Sequence, residues 1–190
     1  MTVVPSSGKA LSVAHFSIAD GGGGAAGAVR RLHSELARQG VRSTLHVAQK
    51  HTADADTECL SDGLLLGRRA PAFSRKLDLL PERIAHSRST AFWSPGWHSL
   101  RDITRLPSVI AADVLALYWL PRGFLGIRQV GRLLGLGKPV VWRLSDMWPF
   151  TGGCHYSADC TAFERWCGRC PQLRSQREGD LSRRLFAAKE

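Results

Sequence analysis

The most constraining feature of this sequence is the segment from Pro139 to Cys160, PVVWRLSDMWPFTGGCHYSADC, in which an apolar run passes directly into a loop rich in glycine, tryptophan and cysteine. The run from Lys138 to Leu144 predicts a buried parallel strand. Ligand sites of open α/β sheets lie just beyond the carboxyl ends of such strands. The sequence therefore predicts that the chemistry of the protein is concentrated between Ser145 and Pro171.

A second pattern, near the amino terminus, predicts the same class of fold. The segment from Lys9 to Ser17 reads as a first strand and is followed by Asp20 and four glycines. A helix is predicted from Ala25 to Gln39, because apolar residues recur there at helical spacing and Gly40 supplies a stop. β-Branched and apolar residues alternate from Val41 to Val47 and predict a second strand. This order of elements is a βαβ unit.

The remaining elements continue the alternation of strands and helices. Between Gln49 and Ser99 the sequence predicts only a short helix in KLDLLPERIAH, interrupted at Pro81, and an ordered loop, RSTAFWSPGWHS. A strand is predicted from Asp113 to Leu120, a helix from Phe124 to Leu136, and a basic helix capped by Asp180. Such alternation implies a mostly parallel sheet covered on both faces. The predicted fold is therefore α/β, a Rossmann-like three-layer domain with a twisted, mostly parallel sheet.

The length of 190 residues favours one domain, and a chain of this size buries roughly 70% of its unfolded surface. Within 1–190 the sequence predicts a Rossmann-like core at 9–150, a cysteine-rich loop at 151–175 and the start of a C-terminal helix or linker at 180–190. The sequence has neither an apolar run long enough to span a membrane nor the pattern of a secretory signal. A cytoplasmic location is the expectation.

The formal net charge of +10 bears on partners, not on the fold. Arginines gather around residues 68–88 and again around 165–184. Three interpretations stay open: solvated helix and loop faces, an anionic partner such as a nucleotide diphosphate, lipid phosphate or membrane surface, and nucleic acid. The last is the least expected, because the sequence lacks the interleaved aromatic and basic residues of a known nucleic-acid module.

The glycine-rich segment after the first predicted strand has the spacing of a phosphate-binding loop. Gly22, Gly24 and Gly27 satisfy G-x-G-x-x-G, and a helix N-terminus that follows such a loop favours an anion. A dinucleotide site also needs an acid near the end of the second strand. The sequence there is Val47–Lys50, although Lys50 could meet a 2′-phosphate. A diphosphate or sugar contact, a dinucleotide contact and a turn that only packs helix on strand all remain open.

Four of the five cysteines form a cluster with the spacing C-x5-C-x6-C-x2-C. Its members are Cys154, Cys160, Cys167 and Cys170. The C-x2-C end is a usual zinc spacing, and a four-thiolate zinc would be a structural staple with no open position for catalysis. Reduced packing thiols and disulfides are the alternatives, the latter disfavoured in a reducing cytosol. Cys59 is expected to be unrelated, and His155 is expected to make a polar contact unless it replaces one thiolate.

At DMWPFTGGCHYSADC and the following CGRCPQL, the sequence resembles bacterial glycosyltransferases of family 4, the retaining GT-B enzymes that build exopolysaccharide and other surface glycans. The resemblance extends to GGGGAAGAVRRLHSEL, WSPGW, DVLALYWLPRGFL and KPVVW. It covers most of the chain from Ala10 to Arg184. The string of tryptophan, proline and glycine with its cysteines is its most specific part.

The resemblance implies the N-terminal, acceptor-side domain of a GT-B fold. The implied activity is hexosyl transfer from a nucleotide sugar, as donor substrate, to a glycan or polyprenyl-phosphate-linked acceptor, with no catalytic metal. The C-terminal donor-binding domain has no counterpart in the sequence, so this half is expected to be incomplete alone. A separately encoded C-terminal domain is an implied partner, and a peripheral contact with the inner membrane face is also implied.

Carried over residue by residue, the resemblance implies that Gly22, Gly23 and Gly24 line the cleft near the donor diphosphate. Asp146 is the candidate catalytic residue. The residues implied to face the acceptor with it are Trp148, Thr151 and Gly152. The structural alternatives are that Asp146 caps a turn, that Trp148 belongs to the core, and that Gly152–Gly153 only serves backbone geometry.

The sequence departs from the family pattern at two places. Ala116 and Tyr118 stand where family members usually have histidines in a pattern resembling HLHW. Ser145 stands where a histidine usually precedes Asp-Met-Trp, and a hydroxyl group neither titrates near neutral pH nor carries positive charge. If that histidine supports transfer, Ser145 does not replace it.

Three functions therefore follow as hypotheses from the sequence. The first is a glycosyltransferase half, the second an NAD(P)-binding oxidoreductase-like Rossmann domain, and the third a non-enzymatic zinc-stapled binding module. The first requires the glycine loop and the Asp146 loop to share one rim of the fold.

Overall fold

The computed structural model describes residues 10–81 and 92–190. Its five strands form one sheet in which every pair is parallel, in the order β3-β2-β1-β4-β5. The strands are β1 (Ser12–Ala19), β2 (Arg42–Gln49), β3 (Thr57–Cys59), β4 (Val114–Leu117) and β5 (Val140–Trp142). This all-parallel sheet with a Rossmann-like strand order confirms the predicted fold class.

Among the described residues, five α-helices accompany the sheet. They are α1 (Gly24–Arg38), α2 (Ala70–Asp78), α3 (Pro107–Ala111), α4 (Ile127–Leu134) and α5 (Leu181–Ala187). Short 3-10 turns occur at Gly67–Arg69, Trp148–Phe150 and Ala162–Arg165. In the part of the chain that the structure describes, every helix is too short or too polar to span a bilayer.

Side chains alternate between the two faces of the sheet, as they must in pleated strands. On one face, Val13 of β1 and Leu45 of β2 pack with Val29 of α1. On the other face, Phe16 and Leu117 pack in a larger cluster that also holds residues of α3 and α4. The α3 and α4 residues of that cluster are Val109, Val130 and Leu133. Helices therefore cover both faces, and the domain has the three layers that the sequence predicts.

The predicted helices that flank the sheet are confirmed, with small changes at their ends. The helix predicted at 25–39 is α1, and the one predicted at 124–136 is the shorter α4, which begins after Gly126. The predicted cap of the last helix is also confirmed, because the Asp180 carboxylate accepts a hydrogen bond from the Arg183 backbone N–H at 3.2 Å. β1 and β4 are displaced or shortened relative to their predicted ranges, 9–17 and 113–120.

The prediction of a buried strand at Lys138–Leu144 is wrong in two respects. The strand β5 spans only Val140–Trp142, and it is the edge of the sheet. Val140 and Trp142 pack against the core, whereas Val141 on the opposite face is 61% exposed. An apolar run identifies a strand but does not say how many neighbours the strand has, and an edge strand has only one.

The stretch between Gln49 and Ser99 contains elements that periodicity did not predict. The strand β3, of sequence TEC, is too short to show alternation, and α2 begins at Ala70, before the predicted helix KLDLLPERIAH. Part of that helix, part of the loop RSTAFWSPGWHS and two arginines of the first basic group lie outside the described residues. The described part of the loop pairs with the cysteine region, because Trp93 forms an antiparallel bridge with Cys154.

Three histidines are buried in the sheet and under α1. The Nδ1 atom of His15 lies 2.9 Å from the Tyr118 hydroxyl, and the ring of His46 stacks on Phe16 at 5.1 Å between centroids. His33 is bonded through Nδ1 to the Ser43 hydroxyl at 2.7 Å. Burial lowers the pKa of His15 and of His46 to about 4, with the neighbouring histidines adding to the effect at His15. Both imidazoles are therefore neutral at neutral pH.

These two histidines predict a loss of stability in mild acid. Between pH 6.5 and about 4 the unfolded histidines bind protons that the folded ones do not, so falling pH favours unfolding. At pH 5 the expected loss is on the order of 2 kcal/mol per histidine relative to pH 7.5. Urea unfolding at the two pH values measures it.

The variant His46→Phe, which keeps an aromatic ring against Phe16, should lose about half of this pH dependence. The variant His51→Gln is the matched control, because the His51 side chain is exposed whereas His15, His33 and His46 are buried. Equal free energies of unfolding at pH 7.5 and pH 5 in the unmodified chain would contradict the assignment of neutral buried histidines.

Candidate functional site

An open cleft of about 910 Å³ lies at the carboxyl ends of the strands. The sheet order places β1 beside β4, where the chain order reverses, and this is the usual position of ligand sites in open α/β sheets. The lining comes from residues 17–19 at the end of β1, residues 21–26 of the glycine loop and α1, Gln49 at the end of β2 and His51 beyond it. Trp119 after β4 and residues 143–146 after β5 complete it, together with Phe92 and Tyr156. The structure therefore brings the glycine loop and the start of the Asp146 loop together.

The glycine loop presents an open surface to this cleft. Gly23 precedes the first turn of α1, whose N-terminus has no side-chain cap. Gly22 has a φ of +85°, which favours glycine, but a Cβ atom added at Gly22, Gly23 or Gly24 would meet no atom within 4 Å. Close packing of helix on strand therefore does not explain these three glycines. Their free face is available to a ligand.

A buried carboxylate holds the base of the glycine loop. Asp20 is fully buried and accepts hydrogen bonds from the His51 backbone N–H at 2.6 Å and from the Thr52 hydroxyl at 2.5 Å. Burial alone would raise the pKa of Asp20, but the hydrogen bonds outweigh it and lower the pKa. The loop after β1 is thus tied to the loop after β2. Sequence reasoning missed this role, although an acid directly before the glycines was its visible signal.

Asp146 holds the opposite side of the cleft in the same way. Its Oδ2 atom accepts from Trp119 Nε1 at 2.7 Å and from His155 Nδ1 at 2.6 Å, and its Oδ1 atom accepts from the Trp148 backbone N–H at 2.9 Å. Burial would raise the pKa of Asp146, but these hydrogen bonds, that from His155 first, lower it. The side chain is only 7% exposed. The carboxylate is therefore an ionised anchor for the loop.

A buried serine, Ser94, is hydrogen-bonded to His155, which is in turn hydrogen-bonded to Asp146. His155 is fully buried, and its Nε2 atom lies 2.9 Å from the Ser94 hydroxyl. The order Ser94, His155, Asp146 is that of a nucleophilic triad, but Ser94 is fully buried and does not line the cleft. A serine without access to substrate is no nucleophile, so these hydrogen bonds fix the loop. The expected polar contact of His155 is confirmed.

The other residues implied to face the acceptor lie beneath the cleft and not on it. Trp148 is 2% exposed and has the Lys189 ammonium 3.9 Å from its ring centroid. Thr151 is fully buried and donates to the Cys154 carbonyl at 2.6 Å. A Cβ atom at Gly152 would lie 2.4 Å from the Ser182 carbonyl oxygen, so glycine is required there by packing. The structure does not place these three residues in the cleft lining.

The two positions at which the sequence departs from the family pattern lie in different surroundings. Ser145 is exposed and lines the cleft. Ala116 is buried in β4, and Tyr118 follows that strand with its hydroxyl on His15. Burial raises the pKa of Tyr118 to about 12, so the phenol is neutral. Of these positions, Ser145 is the one at which a side chain has access to a ligand.

The cleft as a whole favours an anion. The exposed side chains of Arg143 and His51 line it, and the N-terminus of α1 adds the positive end of a helix dipole. The one carboxylate of Asp146 is already engaged by three donors. Lys50, considered for a 2′-phosphate, instead donates to the carbonyls of Asp54 and Thr57 at 2.7 and 2.6 Å and does not line the cleft.

The four clustered cysteines meet in a second place. Cys154, Cys160, Cys167 and Cys170 line one small cavity of about 20 Å³, whereas Cys59 lies in β3. All five thiols are free. Burial raises the pKa of Cys154 and Cys170, and that of Cys167 to about 11. Across residues 10–81 and 92–190, the side chains of no three His, Cys, Asp or Glu residues are arranged so as to hold a metal ion.

A scan against protein-family models finds no match for this chain. Searches of curated proteins and of solved structures also return no match. The sequence motifs and the geometry of the cleft are therefore what indicate the function of this chain.

The hydrogen bonds of Asp146 predict that replacing one of its carboxylate oxygens lowers the free energy of unfolding. The variant Asp146→Asn keeps the shape of the side chain but replaces one acceptor oxygen by an NH₂ group that faces donors. The expected result is a loss of about 1–3 kcal/mol in the free energy of unfolding, measured by urea denaturation. The control is Asp159→Asn, an exposed site in the same loop, where a change within about 0.5 kcal/mol is expected. Equal effects at the two sites would refute the anchoring role.

Proposed function

We propose that this chain is the acceptor-side domain of a retaining GT-B glycosyltransferase, which transfers a hexosyl group from a nucleotide sugar to a glycan or polyprenyl-phosphate-linked acceptor. The observation that carries the proposal is the shared cleft, lined by the glycine loop and by Ser145 and Asp146 at the strand-order reversal. The Rossmann-like fold supplies the required domain class, and the sequence motifs supply the resemblance to family 4.

The chemistry of retaining transfer suits the charges of this cleft. The bond from the anomeric carbon to the diphosphate oxygen breaks, the acceptor oxygen bonds to the same face of that carbon, and the acceptor proton leaves with the diphosphate. The negative charge that develops on the diphosphate must be stabilised, and backbone N–H groups or cations do this without a metal. The open glycine face at α1 and the exposed Arg143 side chain are available for that role.

The opposite wall of the cleft suits a sugar. The rings of Phe92, Trp119 and Tyr156 line it, and Phe92 and Tyr156 are 43% and 64% exposed. Such rings offer flat apolar area beside a few polar groups, the usual composition of a small-molecule site. Phe92 is fixed in turn by the His155 ring, 4.3 Å away between centroids. The aromatic wall supports an acceptor sugar or a polyprenyl-linked glycan.

In this proposal Asp146 positions the loop and does not act as the base. Its carboxylate has three hydrogen-bond donors and little exposed area, so it is not free to take a proton from an acceptor hydroxyl. A second Rossmann-like domain faces the cleft and binds most of the donor nucleotide, as the resemblance implies. The net charge of +10 suits an acceptor phosphate at a membrane face.

The oxidoreductase alternative is less well supported by the geometry. A dinucleotide site needs an acid near the end of β2 or a cation for a 2′-phosphate. The residues that line the cleft there are Gln49 and His51, and the Lys50 ammonium is engaged by two backbone carbonyls. A non-enzymatic binding module can use the same open glycine face, so a transfer assay is needed to distinguish it from a transferase.

The proposal is tested by a transfer assay. The purified chain is incubated with a panel of labelled nucleotide sugars and with polyprenyl phosphate or membrane glycolipid acceptors, alone and with a donor-binding GT-B C-terminal domain. We expect labelled product only when both domains are present. Micromolar binding of NADP that nucleotide sugars do not displace, together with no transfer in any combination, would overturn the proposal.

The open glycine face gives a more specific prediction. Gly23 has an extended backbone with φ of −175°, and its added Cβ meets nothing, so Gly23→Ala should fold normally. Alanine is less favourable than glycine at an N-cap, so the free energy of unfolding should fall by about 1 kcal/mol. The new methyl group occupies the space that a diphosphate needs. We expect its affinity for pyrophosphate or a nucleoside diphosphate, measured by calorimetry, to fall by about tenfold or more, which corresponds to about 1.4 kcal/mol.

The matched control is Gly131→Ala. Gly131 lies on the exposed face of α4, away from the cleft, and a Cβ atom there also meets nothing within 4 Å. This variant should bind the diphosphate as the unmodified chain does. Equal affinities of the Gly23→Ala and Gly131→Ala variants would show that the glycine face does not bind the diphosphate.

A further inference from the structure

The four clustered thiols come from separate turns of one irregular segment. Between Thr151 and Asp180 the only helical structure is the 3-10 turn at Ala162–Arg165. The apolar cluster that supports this segment is small, with Trp93, Cys170, Leu173 and Leu185 as its buried members. A segment with so little apolar packing gains stability from a cross-link such as a disulfide or a bound metal, as small domains do. All four thiols are nevertheless free of disulfides.

We propose that Cys154, Cys160, Cys167 and Cys170 bind one structural zinc ion. All four line the same cavity, and its volume of about 20 Å³ holds one water-sized sphere. Four thiolates form the tetrahedral soft-ligand set that selects zinc and leaves no open coordination position. Among the described residues no three such side chains already surround a common metal position, so the proposal requires the four cysteine side chains to rotate when the ion binds.

The backbone around the C-x2-C pair supports this assignment. Trp166, Cys167 and Arg169 all have positive φ values, +82°, +52° and +46°, and Gly168 between them has +105°. A run of left-handed non-glycine residues is costly and persists only where surrounding contacts enforce it. Here the turn directs the cysteine side chains of positions 167 and 170 to one cavity. Such a turn is what two ligands from one short loop require.

Backbone N–H groups near the four cysteines make hydrogen bonds that support the proposed zinc site. The Gly152 backbone N–H donates to the Cys167 sulfur at 3.2 Å, the kind of outer contact that stabilises a ligating thiolate. The Cys170 backbone N–H donates to the Asp180 carboxylate at 2.8 Å, and the Gly168 N–H donates to the Ser182 hydroxyl at 3.0 Å. The C-x2-C turn is thereby tied to the start of α5.

The proposed zinc also has a consequence for the cleft. Cys154 pairs with Trp93 in an antiparallel bridge, and the Gly153 carbonyl accepts from the Ser94 backbone N–H at 2.9 Å. Ser94 is in turn bonded to His155, which holds Asp146. The metal therefore stabilises the underside of the Asp146 loop without contacting a ligand in the cleft. This inference is independent of the proposed transferase activity.

The test is metal analysis of the full chain purified without chelator. Elemental analysis should give one zinc per chain. Replacement by cobalt should give a thiolate-to-cobalt charge-transfer band and the intense visible bands of a tetrahedral site. Serine in place of any one of the four cluster cysteines should remove most of the bound metal. The four variants are Cys154→Ser, Cys160→Ser, Cys167→Ser and Cys170→Ser. The variant Cys59→Ser is the matched control and should retain it, because Cys59 lies in β3 and outside the cavity.

Alkylation of thiols under native conditions gives a readout that needs no variant. With zinc bound, the four cluster thiols should be protected and Cys59 should be the reactive one; a strong chelator should expose the other four. The proposal is overturned if the unmodified chain contains no zinc, gives no tetrahedral cobalt spectrum and alkylates at all five thiols. Disulfides found among the four cysteines by mass spectrometry without reductant would overturn it equally.

Discussion

The shape of the cleft depends most on the hydrogen bonds that the Asp146 carboxylate accepts. Three donors from different parts of the chain converge on it: the Trp119 indole after β4, the His155 ring and the Trp148 backbone N–H. A buried acceptor that lost these donors would incur the full cost of desolvation, so the three hydrogen bonds favour one arrangement of the loop. It fixes the segment after the edge strand β5, which has only one neighbouring strand to hold it.

The glycine loop is supported by the same physical device. Asp20, buried at the end of β1, accepts from the backbone of His51 and from Thr52, and so joins two adjacent strand ends. Each wall of the cleft is thus tied by a carboxylate whose oxygens are engaged by hydrogen-bond donors. The exposed faces of the two loops are left for other groups, namely the open glycine backbone on one side and Ser145 with aromatic rings on the other. A rigid base with free faces is what a binding site requires.

Elements with a local sequence pattern were predicted correctly, whereas features that depend on tertiary contacts were not. The glycine loop, α1 and the parallel sheet follow from strand and helix periodicity together with four consecutive glycines. The burial of β5 was predicted wrongly because an apolar run does not reveal an edge. The hydrogen bonds of Ser94 with His155 and of Trp119 with Asp146 join residues 27 or more positions apart in the chain. No local sequence pattern predicts such contacts. For the same reason Trp148 could not be assigned to the interior or to the cleft before its surroundings were known.

In the proposed site, both loops bind one anionic ligand in one cleft. This arrangement is tested by a ¹⁵N–¹H NMR titration of the chain with a nucleoside diphosphate, with the Trp119 indole N–H as a reporter of the Asp146 side. We expect the backbone signals of Gly22–Gly24 and of Ser145–Asp146 to shift together with the Trp119 indole signal, along one binding curve. Shifts confined to the arginine-rich surface around 165–184, or to one of the two loops alone, would contradict it.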